Sequence, residues 1–95
     1  MAYQVVWSSI ALEDVEGIAE YISRDSASYA GVIVEKILDA TRNLSNFPLL
    51  GRIVPEFKED SIREVFAYSY RIIYQVQDEI VTIAAVIHGK RLLSQ

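Results

Sequence analysis

The chain has 95 residues, which fits one domain spanning 1–95, and its 52% hydrophobic content is enough to bury a core without covalent staples. It contains no cysteine and one histidine, His88, which excludes disulfides, thiol chemistry, thiolate zinc sites and any site needing two imidazoles from one chain. The formal net charge of −4 opposes strong direct binding to bare DNA, but the charge is uneven: residues 1–50 carry seven acids and three bases, residues 51–95 six of each.

Residues 3–7 (Tyr3-Gln4-Val5-Val6-Trp7) are β-branched and aromatic and read as a short strand. Ser8 and Ser9 offer an N-cap, and Val15, Ile18, Ala19 and Ile22 form one apolar stripe, predicting a helix over about 9–24. On its outer side Glu13, Asp14, Glu16 and Glu20 read as a solvated face. Asp25 and Ser26 cap a second helix with the stripe Ala30, Ile33, Val34, Ile37, Leu38, Thr41 and Leu44, and Pro48 prevents its continuation. So short a connection forces an antiparallel helical hairpin.

After Pro48 the period changes. Pro48 to Arg52 is a turn, Ile53 to Phe57 a short edge segment interrupted by Pro55, and Lys58-Glu59-Asp60 a polar loop. Ile62 to Phe66 reads as a strand, with Ala67-Tyr68-Ser69 turning the chain. Tyr70, Ile72, Tyr74 and Val76 then share one face of a strand, and Arg71, Ile73, Gln75 and Gln77 the other. Asp78-Glu79 is a tight connection to Ile80–Ile87, which is apolar on both faces except at Thr82 and belongs inside the sheet. The expected fold is α+β in the order β-α-α-β-β-β, a helical hairpin packed on a curved antiparallel sheet.

The longest apolar run, Ile83 to Ile87, is far short of the roughly 20 residues that span a bilayer, and the N-terminus has no basic, apolar leader; a cytoplasmic protein without membrane partners is expected. There is no Gly-rich phosphate loop, nucleophile elbow or metal-ligand motif, so no metal and no cofactor is expected. What carries chemistry is a cationic set on the sheet half: Arg52, Arg63, Arg71, His88, Lys90 and Arg91. Strand alternation can place Arg63 and Arg71 on one exposed face, with His88 and Arg91 joining from the next strand. Guanidinium forks so grouped suit phosphate or carboxylate. Cross-strand pairing of Arg63 and Arg71 with Glu56 and Glu64 explains the same arginines equally well. Tyr68, Tyr70 and Tyr74 can stack on bases, although alternation with Ile72 and Val76 assigns the last two to the core.

Four segments together resemble the RelE/ParE toxin family, the toxins of type II toxin–antitoxin modules that are often labelled plasmid stabilisation proteins. They are Gly51-Arg52-Ile53-Val54-Pro55-Glu56, Ile62-Arg63-Glu64, Tyr70-Arg71-Ile72-Ile73-Tyr74 and Val86-Ile87-His88-Gly89-Lys90-Arg91. Trp7, Ala11-Leu12-Glu13-Asp14-Val15 and Tyr21-Ile22 look alike too, so the likeness covers essentially the whole chain. It implies the same fold and a cognate antitoxin partner, whose extended segment can add to an open sheet edge. It also implies one of two targets. RelE-like members cleave mRNA in the ribosome; here Arg63 and Arg71 would hold phosphate, His88 or Glu56 would move protons and Arg91 would assist. ParE-like members inhibit DNA gyrase and need only a surface, expected here at Arg52, Arg63, Arg71, His88 and Arg91. The His88-Gly89-Lys90-Arg91 ending looks more like the ParE side, for which the reading is a non-enzymatic gyrase inhibitor; an antitoxin-binding homologue without toxicity is the third option.

Overall fold

The computed structural model describes residues 2–93. The chain runs β1 (Gln4–Trp7), α1 (Ser9–Ser23), α2 (Ala27–Arg42), a 3-10 turn (Asn43–Ser45), β2 (Arg52–Ile53), β3 (Ile62–Ala67), β4 (Tyr70–Gln77) and β5 (Ile80–His88). Each helix begins where a serine hydroxyl accepts from the first turn: Ser8 from the Ala11 amide at 3.0 Å and Ser26 from the Tyr29 amide at 3.1 Å. The expected helical hairpin is present. The five strands form one sheet in the order β1-β5-β4-β3-β2.

The sheet is mixed, which corrects the expected antiparallel sheet. β1 pairs parallel to β5, with Val5 opposite Val81, while every other neighbour pair is antiparallel. β5, apolar on both faces, lies inside the sheet as expected, and its backbone groups are paired on both edges, by β4 on one and β1 on the other. The strand expected over Ile53–Phe57 shrinks to Arg52–Ile53 because the chain turns through 55–57, where Pro55 has no amide hydrogen to donate.

The hairpins are tight. Asp78 and Glu79 both take positive φ, 52° and 62°, the geometry that matches the right-handed twist of the flanking strands. The helices cover one face of the sheet, where Ala11, Ile33, Ile37, Leu44, Ala67, Ile72, Tyr74, Val81, Ile83 and Val86 form the core. Asp14 is not part of a solvated face: its carboxylate accepts from the Val86 amide at 2.9 Å, and Ser8 Oγ donates to the Ala84 carbonyl at 3.1 Å. The N-cap of α1 and one side chain of its first turns thus satisfy β5 where β1 has already ended.

Candidate functional site

Register decides where the cationic residues go. In the β3–β4 pair Arg63 lies opposite Tyr74, and Arg71 opposite Phe66. Opposite residues share a face, so Arg63 stands on the helix-facing side with Tyr74, and Arg71 on the other side with Phe66 and Glu64. The single exposed face expected to hold both arginines does not form. His88 pairs with Tyr70, on the side opposite Arg71.

Arg71 is almost completely buried, with 3% of its surface exposed, and its donors are used internally. Its Nε donates to Glu64 at 2.6 Å, its two terminal nitrogens form a fork on Glu56 at 2.8 and 2.9 Å, and Nη1 also reaches the Arg91 carbonyl at 2.7 Å. Glu64, 1% exposed, takes its second partner from Arg52 Nε at 2.6 Å. The Leu93 amide donates to Glu56 at 3.0 Å, which pins the C-terminal segment to this face. The Arg71 guanidinium and then the Leu93 amide hold the Glu56 carboxyl down at about 2, and Glu56 in turn raises Arg71 above the ordinary arginine value. At neutral pH Glu56 is therefore an ionised acceptor with no proton to give.

Arg63 is also committed. It donates to the Asp60 carbonyl at 2.9 Å, the Asp60 carboxylate at 2.8 Å and the Gly51 carbonyl at 3.0 Å. Beside it, the buried Tyr74 hydroxyl accepts from the Gly51 amide at 2.9 Å and donates to the Pro48 carbonyl at 2.8 Å. Burial pushes the Tyr74 phenol up. Gly51 is there for want of room: a Cβ on it would stand 2.4 Å from the Glu64 carbonyl oxygen. Arg63, Tyr74 and Gly51 thus fix the path of residues 48–52.

Three of the expected site residues remain exposed: Arg52, His88 and Arg91. His88 Nδ1 accepts from the Lys90 amide at 3.2 Å, so a neutral ring carries its proton on Nε2, and the Tyr70 ring meets it edge-on at 6.0 Å. Arg91 and His88 line a depression of about 420 Å³ with Glu13, Asp14, Tyr21 and Tyr70. A second feature lies at the far edge of the sheet; the sequence implied an open edge but not which one. The two residues of β2 pair with Arg63 and Glu64, which leaves Val65–Ala67 without a strand neighbour on that side among the described residues. Beside this open edge and α2 runs a groove lined by Lys36, Asp39, Ala40, Asn43, Leu50, Phe66 and Tyr68, in two parts of about 460 and 470 Å³. Leu50, Phe66 and Tyr68 on its walls are exposed, as are Phe47 and Leu49, which share a separate depression with Leu50. The available signal was the run Phe47-Pro48-Leu49-Leu50, apolar yet placed in a turn.

Three comparisons bear on this arrangement. A family model described as "ParE toxin of type II toxin-antitoxin system, parDE" matches residues 5–93. A curated relative named "Toxin RelE2", from Caulobacter vibrioides, is 33% identical over 90 residues, covering 94% of this chain and 98% of that protein. Among solved structures, a chromosomal ParDE toxin–antitoxin system from P. aeruginosa superposes with a TM-score of 0.78 at 15% identity, covering 94% of this chain and 98% of that one. E. coli toxin RelE gives 0.67 at 19% identity, covering 95% and 86%. RelBE2 from Mycobacterium tuberculosis gives 0.66 at 22%, covering 93% and 99%.

Proposed function

Because the chain belongs to the ParE toxin family of type II toxin–antitoxin systems, we propose that it arrests growth by binding DNA gyrase, acting as one cytoplasmic domain, and that a cognate antitoxin neutralises it. The observation that carries the choice of target is the fate of Arg71. Cleaving RNA through its 2′-hydroxyl needs a base, an acid and free cations at the phosphorus. Arg71 has its guanidinium closed on Glu56 and Glu64, Arg63 stands on the opposite face bound to Asp60, and Glu56, forked by Arg71 and held at about 2, has no proton to give as the acid and is a weak base. Gripping a protein requires none of these groups, and Arg52, His88 and Arg91 remain available on the surface for it.

The antitoxin's place in this reading is the groove beside α2 and the open edge of β3. An extended segment there gains main-chain hydrogen bonds from Val65–Ala67 and buries Leu50 and Phe66. The M. tuberculosis RelBE2 structure is described as a toxin–antitoxin complex, which supports a partner of that kind.

A gyrase supercoiling assay tests the target: purified protein at micromolar concentration inhibits the reaction or traps cleaved DNA, and absence of both effects counts against it. The name of the Caulobacter relative favours a second reading, a ribosome-dependent mRNA endonuclease. That reading requires mRNA cuts in a translation extract, mapped by primer extension, that vanish with His88→Ala. A homologue that only binds its antitoxin leaves growth unchanged when expressed alone.

A further inference from the structure

The turn between β3 and β4 places a bulky aromatic where the backbone favours glycine or asparagine. Tyr68 has φ 52°, in the left-handed region, and 57% of its surface is exposed, so burial does little to offset the strain. The turn is held firmly: the Gly89 amide donates to the Ser69 carbonyl at 2.6 Å, and a Cβ on Gly89 would lie 3.0 Å from that oxygen. Around it Phe66, Tyr68, Ser69, His88, Gly89 and Lys90 line a depression of about 310 Å³ that contains no acidic residue among those described. Phe66 is 49% exposed, with the Arg52 guanidinium 5.3 Å from its ring centre, and Lys90 makes no ion pair among the described residues. The patch is aromatic at its centre, basic at its rim and fixed in shape.

We propose that the Tyr68 turn, with Phe66, His88 and Lys90 around it, is the surface by which this toxin grips its protein target, at a place where an apolar side chain of the target adjoins a carboxylate. This rests on the toxin reading above and narrows it to one patch. The charge pattern selects the partner: exposed aromatic rings and arginine are where protein interfaces concentrate binding energy, and a basic rim steers and registers an acidic partner surface. Two or three cations on a chain of net charge −4 are too few to hold a nucleic acid at physiological salt. Phe66 and Tyr68 also line the groove beside α2, so an antitoxin segment lying there covers the same two rings.

Two variants separate this role from a structural one. Tyr68→Gly relieves the backbone and removes the ring; its Tm rises by about 4 °C while the inducer level needed to arrest growth without antitoxin rises at least about tenfold. Lys90→Glu leaves Tm and co-purification with the antitoxin unchanged and weakens arrest to a similar degree, whereas Arg24→Ala, on the far helical hairpin, does not. Wild-type arrest by both patch variants overturns the proposal, and so does a lowered Tm for Tyr68→Gly. If the wild-type chain arrests growth but fails in the supercoiling assay, the choice of gyrase falls and the patch stands. A wild-type chain that does not arrest growth overturns both.

Discussion

Replacing Arg71 by alanine distinguishes a structural arginine from a substrate-binding one. The guanidinium that leaves is almost fully buried and holds two carboxylates, Glu64 through Nε and Glu56 through the terminal nitrogens. Removing one partner of a buried pair costs about 3–5 kcal/mol, because the charge left behind stays out of water. Here Arg52 still reaches Glu64 at 2.6 Å, so the lower end, about 3 kcal/mol, is expected. For a domain of this length that lowers Tm by about 15 °C and removes a large part of a total stability of about 5–15 kcal/mol. Urea unfolding followed by circular dichroism reads the loss as a lower midpoint at unchanged slope. Arg71→Ala combined with Glu56→Ala should cost less than the sum of the single changes, since the fork is lost once. Were Arg71 instead free to hold phosphate, the single variant would melt within about 0.5 kcal/mol of wild type, and that result would refute the structural assignment.

Gly51→Ala drives a methyl to 2.4 Å from the Glu64 carbonyl oxygen and 2.8 Å from the Tyr74 hydroxyl; a loss of about 2–3 kcal/mol in urea melts is expected. The Glu56 carboxyl sits at about 2, below its ordinary value of 4.5, so the folded form prefers it ionised. Its contribution is complete above about pH 4.5 and disappears as pH falls towards 2; wild type should therefore lose Tm more steeply than Glu56→Gln across that window. Asp14→Ala leaves the Val86 amide without its acceptor and should cost about 1–2 kcal/mol, with faster hydrogen exchange at that amide.

Periodicity reported the local elements well. The caps at Ser8 and Ser26, the two stripes and the tight Asp78–Glu79 connection are encoded within a few residues of each other. What sequence could not supply was register. A shift of one residue between β3 and β4 exchanges every side chain between faces, and nothing local to Arg63 and Arg71 says that they stand back to back. The pairing of Arg71 with Glu56 and Glu64 was among the sequence expectations; the partner of Arg63, Asp60, was not. Asp14 looked like one more surface acid because its acceptor role depends on where β1 stops beside β5, some 70 residues away in the chain.

The pairing of Val5 with Val81 draws the first and last strands together at one edge of the sheet. A contact of that separation forms late and slowly, because the loop it closes is nearly the whole polypeptide. A nascent chain still lacking β5 has nowhere to lay β1, and it lacks the Ala84 carbonyl that accepts from the Ser8 hydroxyl and the Val86 amide that Asp14 binds. The parallel β1–β5 edge, with the Ser8 and Asp14 contacts beside it, is therefore the last part of the sheet that the polypeptide can complete.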